Sequence, residues 1–176
     1  MIIFVDEKIE ILRDNCNNLR DRAMIDFLLS TGIRVGELVR LNIDDIDFSE
    51  RECVVHGKGD KERKAYFDAK TKIHLLNYIE SRTDNNIALF VSLNKPHSGF
   101  TESGVELRLR EMGKKLGVEK VHPHKFRRTM ATRAIEKGMP IEQVQKILGH
   151  EPIDTTLRYA MVNQNNVKLS HRKYIS

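Results

Sequence analysis

No apolar run in this 176-residue chain approaches the roughly 20 residues needed to span a bilayer. The first ten residues, "MIIFVDEKIE", stay apolar for only four positions after Met1 and then turn acidic, so they are not expected to form a signal peptide. Cysteine is scarce. Cys16 and Cys53 stand far apart and outside any C-x-x-C spacing, so neither a disulfide scaffold nor a cysteine metal site is expected. They read as two buried thiols in a reducing cytoplasm. Internal repeats, low-complexity stretches and Gly/Ser linkers are missing, which points to one domain. The pattern G-x-x-x-x-G-K-[ST] is missing too, so no Walker A phosphate loop is present. His122 and His124 have no further ligands at metal spacing. Asp44, Asp45 and Asp47 fall in a turn and read as solvated rather than as a two-metal cluster.

The composition that remains is 40% hydrophobic and 31% charged, the balance of a soluble globular domain. A net charge of +5 and a pI near 9.2 suit a polyanionic partner but do not identify one.

Hydrophobic periodicity divides the chain into helices around a short region of alternation. "DEKIEILRDNC" predicts a helix with Asp6 as N-cap. "LRDRAMIDFLLSTG" predicts an amphipathic helix with Leu19, Ala23, Phe27 and Leu28 near one face and Gly32 as the stop. "RVGELVRL" resumes helix. "DIDFSERECVVHGKGDKERKAYFD" alternates with period two and is broken by "SER" and "GKGD". It predicts two or three short antiparallel strands. "KTKIHLLNYIESR" is helical, and "ALFVS" is a short strand or extended piece. "TESGVELRLREMGKKLG" predicts a helix with a Ser103–Glu106 capping box and a stop at Gly117. "HKFRRTMATRAIEKG", "PIEQVQKILG" and "DTTLRYAMV" are three further helices. Pro140 lies in the first turn of the second, and Asp154 is the N-cap of the third. The polar, basic tail "NQNNVKLSHRKYIS" is helical or frayed. The fold class expected is α+β: mostly helical, with a small antiparallel three-stranded sheet.

Four stretches could carry chemistry. In "STGIRVGEL", Arg34 follows a helix-stopping glycine. Its planar fork matches two oxygens of a phosphate. Glu37, three residues on, can hold that fork from the same helical face. Alone, this reads as a solvated surface arginine in a helical charge pair. In "HGKGDKER", Lys58 sits between two glycines at a hairpin tip, where an ammonium could give a proton to a leaving oxygen. Alone, it is an ordinary turn lysine. In "HPHKFRRTMATRAI", His124 and Arg127 share a helical face. Such a pair suits a phosphate, with arginine neutralising an oxygen and histidine moving a proton. Arg128 and Arg133 face solvent or DNA backbone, and Phe126, Met130 and Ala134 form a core stripe. In "LGHEPIDTTLRYAMV", His150 ends one helix and Tyr159 lies on the next. A phenol near pKa 10 needs positive groups around its target before it can act as a nucleophile, and the other three stretches supply such a set.

Together, "LRDRAMIDFLLSTGIRVGELVRL", "GKGDKER", "HPHKFRRTMATRAI" and "LGHEPIDTTLRYA" resemble the blocks of the tyrosine recombinases, the phage-integrase family, in order and in spacing. The resemblance runs from about Asp6 to Val162. It implies the DNA breaking-rejoining fold and site-specific recombination of double-stranded DNA through a 3′-phosphotyrosine, with no cofactor and no metal. By that resemblance Tyr159 attacks the scissile phosphate, and Arg34 and Arg127 hold its non-bridging oxygens. Lys58 protonates the leaving 5′-oxygen, His124 assists proton transfer at the tyrosine, and His150 hydrogen-bonds the phosphate. Glu37 matches the acidic position that buttresses the first arginine. Fixed cations suit such a phosphoryl transfer, in which charge builds on oxygen.

The chain departs from the family pattern in two places. Relatives carry a separate N-terminal core-binding domain that clamps the DNA, and this chain is expected to lack it. Residues 1–176 are then a single catalytic domain, with a core of about 6–162 and a tail of 163–176. Arg128 stands where relatives often have a histidine. Candidate DNA contacts are Lys61, Arg63, Lys64 and Arg128. The loop "GKGDKERK" is expected to be mobile until DNA orders it. The resemblance further implies a cytoplasmic protein of bacterial, phage or mobile-element origin, without membrane attachment. It would be a monomer as an isolated domain and a homotetramer on DNA, its tail docking on a neighbouring copy. Two other readings remain open. One is a catalytically silent DNA-binding regulator of the same fold. The other is a type IB topoisomerase-like enzyme that relaxes supercoils.

Overall fold

The computed structural model describes residues 3–149 and 164–175. Its helices are α1 (Asp6–Asp14), α2 (Leu19–Thr31), α3 (Val35–Arg40), α4 (Ala69–Ser81), α5 (Glu102–Leu116), α6 (Pro123–Glu136), α7 (Ile141–Leu148) and α8 (Gln164–Tyr174). Between α3 and α4 lies an antiparallel sheet in the order β1 (Ile46–Asp47), β2 (Glu52–His56), β3 (Glu62–Tyr66). The expected mostly helical domain with a three-stranded sheet is what forms.

α2 is the hub. It packs against α1, α4, α6 and β3, so almost every face is covered. The amphipathic stripe expected for it is therefore not what the structure shows. Ala23, Phe27 and Leu28 are buried as expected, but so are Met24, Ile25, Asp21 and Asp26, while Leu19 is exposed. A helix surrounded on all sides has no solvent face to mark with polar residues. Burying a side chain such as Phe27 contributes about 1.5–3 kcal/mol.

The two buried carboxylates of α2 each join it to a neighbour. Asp26 accepts from Arg13 Nε of α1 at 2.5 Å and pairs with the His74 ring of α4. Asp21 accepts from Arg20 at 2.7 Å and from Arg108 of α5 at 2.6 Å. A carboxylate this deep is stable only when paired, and here α1, α4 and α5 supply the partners.

Local chemistry sets the ends of the helices, with two departures from the expected caps. Asn18 caps α2 by accepting from Asp21 N at 2.9 Å. Gly32 ends that helix at φ 64°, where its lack of a Cβ is needed twice: for the left-handed turn, and for the Met130 methyl packed against it. α5 is capped by Thr101, which accepts from Gly104 N at 3.1 Å, rather than by Ser103, which lies within the first turn. Asp6 is the first residue of α1, whose N-cap is Val5. "ALFVS" pairs only through isolated bridges, Asn42 to Ala88 and Val91 to Gly99, and adds no strand to the sheet.

Cys53 is buried and Cys16 partly so, with the Cys16 thiol donating to Leu12 O at 3.2 Å. Burial pushes both thiols up to about 12.

Candidate active site

Gly32 releases the chain from α2, and two residues later Arg34 stands in extended conformation as the N-cap of α3. Glu37, at the third helical position, reaches back. Its Oε2 accepts from Arg34 N at 2.8 Å and its Oε1 from the Arg34 guanidinium at 3.3 Å. This is the reciprocal half of a capping box, used here to fix an arginine as well as a helix start. The Glu37 side chain is 2% exposed and that of Arg34 is 40% exposed. The carboxylate is thus an interior anchor, and the guanidinium keeps an outward face for a ligand.

The sheet delivers a second cation to the same carboxylate. In the β2–β3 register Val55 faces Arg63 and Cys53 faces Ala65. Val55, Cys53 and Ala65 are all buried, so strand alternation turns Arg63 inward with them. Arg63 donates from Nη2 to Glu37 Oε2 at 2.7 Å and from Nη1 to Ile147 O at 2.7 Å. Burial lowers its pKa, opposed by the neighbouring Glu37 carboxylate, while Arg34 nearby pushes the same way as burial.

Arg127 lies one turn into α6 and is 3% exposed. It donates to Gly32 O at 2.7 Å and to Leu148 O at 2.6 Å. Both acceptors sit at helix C-termini, where the backbone carries about half a negative charge. The guanidinium is held rigidly where α2 and α7 end.

His124, the second residue of α6, is exposed and lies on the same helix face as Arg127. His122 is the helix N-cap, its ring 6.5 Å from that of His124, and burial lowers its pKa. Among the described residues no group of three or more His, Cys, Asp or Glu converges as metal ligands would.

Lys58 is exposed in the turn joining β2 to β3, which closes with Gly57 N donating to Lys61 O at 2.9 Å. Gly57 passes beside the Glu37 carboxylate, so the root of this turn lies next to the Arg34 anchor. The expected DNA-contacting loop "GKGDKERK" is therefore two different things. Residues 57–61 form the turn, whereas Arg63 and Lys64 belong to β3. Lys64 is paired with Glu52 at 2.6 Å on the exposed face, and Arg63 is tucked under Glu37. Arg128 is exposed on α6, and Arg133 pairs with Asp6. His150 and Tyr159 lie outside the described residues.

Arg34, Arg127 and the root of the Lys58 turn are thus linked through Glu37, Arg63 and the two helix ends. Sequence reasoning took Arg63 for a DNA contact and missed its inward place between Glu37 and Ile147 O. The signal was available, since counting by twos back from apolar Ala65 puts position 63 on the inner face.

Residues 5–166 match the family model described as the phage integrase family. Tyrosine recombinase XerC of Staphylococcus aureus strain JH9 is 37% identical over 175 residues, covering 94% of this chain and 58% of the relative. The chain therefore spans a little over half the length of the curated relatives it matches. Among solved structures, XerA recombinase aligns with a TM-score of 0.83 at 32% identity, over 98% of this chain and 63% of that one. The Tn1549 transposon integrase, solved with transposon end DNA, aligns with a TM-score of 0.82 at 20% identity, over 99% of this chain and 66% of that one. The second of these likenesses bears on the fold alone.

Proposed function

Since the chain belongs to the phage integrase family, we propose that it is the catalytic part of a site-specific recombinase that cuts and rejoins double-stranded DNA through a 3′-phosphotyrosine. The observation that carries this reading is the arrangement of Arg34 and Arg127. Each is fixed by buried acceptors on one side, and the two are joined through the Gly32–Arg34 segment. Preorganised cations of this kind stabilise a phosphorane-like transition state without reorganising when charge develops.

In the proposed reaction the Tyr159 phenolate forms a bond to the scissile phosphorus, and the bond from phosphorus to the 5′-oxygen breaks. Arg34 and Arg127 hold the non-bridging oxygens, with a hydrogen bond from His150. Lys58 protonates the departing 5′-oxygen, and its place in an exposed turn lets it reach the DNA. His124 assists transfer of the tyrosine proton. Reversal by a new 5′-hydroxyl rejoins strands, because the phosphotyrosine conserves the bond. Lys61 and Arg128 are proposed as contacts to the DNA backbone. The protein works as a tetramer on DNA in the cytoplasm, with the exposed Val167 and Leu169 of α8 available to a neighbouring copy. The catalytic set needs no metal or cofactor.

The test is trapping of the covalent intermediate. Nicked duplexes tiled across the DNA flanking the gene let the short 5′-hydroxyl fragment diffuse away and prevent rejoining. An SDS-stable protein–DNA adduct that disappears in Tyr159→Phe is expected. An adduct that survives moves the nucleophile elsewhere, with Tyr174 next to test. No adduct on the mapped site favours a silent DNA-binding protein. Relaxation of supercoiled plasmid without site preference favours a topoisomerase.

A further inference from the structure

We propose that Arg63 is a positioning residue for this reaction, setting the phosphate-holding Arg34 and the nucleophile-bearing segment in one frame. The inference rests on the recombinase reading above. It concerns how the site is aligned, not which groups react.

The geometry behind it is a closed circuit. Arg34 is held by Glu37, and Glu37 is held by Arg63 Nη2 at 2.7 Å. Arg63 Nη1 holds Ile147 O at 2.7 Å, in the last turn of α7. The next carbonyl, Leu148 O, is held by Arg127, which also holds Gly32 O, two residues before Arg34. In the sequence His150 follows Gly149, and Tyr159 comes nine positions after His150. Among the described residues, Arg63 is therefore the side chain that bridges the Arg34–Glu37 pair to the C-terminal end of α7. Gly149 packs against its Cδ and Nε, closer than any Cβ would permit. Nε itself is buried and has no hydrogen-bond partner among the described residues. Its two terminal nitrogens are each engaged, Nη2 by the Glu37 carboxylate and Nη1 by the Ile147 carbonyl, so the fork is set between these two acceptors.

A surface DNA contact would look different. It would be exposed, unpaired with carboxylate and away from the core face of the sheet. The Arg63 side chain is 13% exposed.

The experiment separates DNA affinity from the rate of cleavage within bound DNA. It uses the protein as its gene encodes it, with a fluorescein-labelled nicked duplex that wild type converts to adduct. Arg63→Met is expected to bind this duplex within about threefold of wild type while forming adduct about 100-fold more slowly at saturation. Arg63→Lys is expected to remain at least about tenfold slow, because an ammonium cannot span carboxylate and carbonyl as a planar fork does. A purely structural role would lower the melting temperature and leave the rate per bound complex unchanged, which overturns the proposal. Weaker binding with a normal rate would place Arg63 on the DNA and also overturn it. If Arg63→Met does not fold, Arg63→Lys decides: a wild-type rate refutes the proposal. Failure of wild type to form adduct on any duplex refutes the recombinase reading, and this inference with it.

Discussion

Arg63 and Arg127 donate to consecutive backbone carbonyls, Ile147 at 2.7 Å and Leu148 at 2.6 Å. One arginine comes from a strand and the other from a helix, and both are largely buried. The end of a helix, with its unsatisfied carbonyls, is where a cation gains most from the backbone. The consequence is positional. The last turn of α7 cannot shift without disturbing both the Glu37 anchor of Arg34 and the Gly32 turn that precedes it.

Gly149 makes this arrangement testable without touching a charged residue. It lies at φ 65°, and an added Cβ would stand 2.6 Å from Arg63 Cδ and 2.7 Å from Arg63 Nε. Gly149→Ala combines a left-handed backbone with a displaced arginine. It is expected to lower stability by about 2 kcal/mol, measured by urea unfolding. Gly117→Ala has a comparable φ of 64° but nothing within 4 Å of its Cβ, so it reports the backbone penalty alone. It should cost about 1 kcal/mol. Equal losses in the two variants would show that Arg63 is not held tightly against Gly149.

The helices and the hairpin were legible in the sequence because their punctuation is local: Gly32, Gly117 and Gly149 each end a helix in the left-handed conformation. Arg34, Glu37, His124 and Arg127 were legible as candidates because short spacings place them on shared faces. What was not legible depends on contacts across the chain. The pairing of Arg63 with Ile147 spans 84 positions, and that of Arg127 with Gly32 spans 95. Composition marked Arg63 as one more cation in a basic loop, whereas the sheet register turns it inward. The hub role of α2 was hidden for a related reason. Its buried Asp21 and Asp26 look like surface residues until Arg108, Arg13 and His74 arrive from other helices.

Asp21 gives the fold a defined response to acid. Burial works to raise its pKa, but Arg20 and Arg108 outweigh burial and hold it below the ordinary 3.8. The unfolded chain therefore takes up this proton first. The stabilisation from Asp21 is complete above about pH 3.9 and is lost as pH falls below it toward the lower folded-state value. Asp21→Asn leaves two cations without their carboxylate and is expected to cost about 3 kcal/mol at pH 7. The gap between wild type and variant should narrow as pH falls below the ordinary carboxylate range, followed by denaturant melts at stepped pH. A gap constant from pH 7 to pH 2 would mean that the charge on Asp21 contributes nothing.

The division of the basic loop between turn and strand predicts an uneven pattern of proteolysis. Lys58 and Lys61 are exposed in the turn, whereas Arg63 lies within β3 with its side chain engaged by Glu37 and Ile147 O. A protease must draw several residues into an extended, unpaired conformation, which a turn permits and a paired strand resists. Limited trypsin digestion is expected to cut after Lys58 and Lys61 first and to spare Arg63 until the domain unfolds. If Lys58 closes over a scissile phosphate, saturating nicked duplex should slow the cuts at Lys58 and Lys61. Cleavage by trypsin on the exposed tail, after Lys173, provides a reference for general protection by bound DNA. Slowing at the turn beyond slowing at the tail supports closure of the Lys58 turn on DNA. Equal slowing at both places, or early cleavage after Arg63, would argue against the separation of a closing turn from a fixed strand.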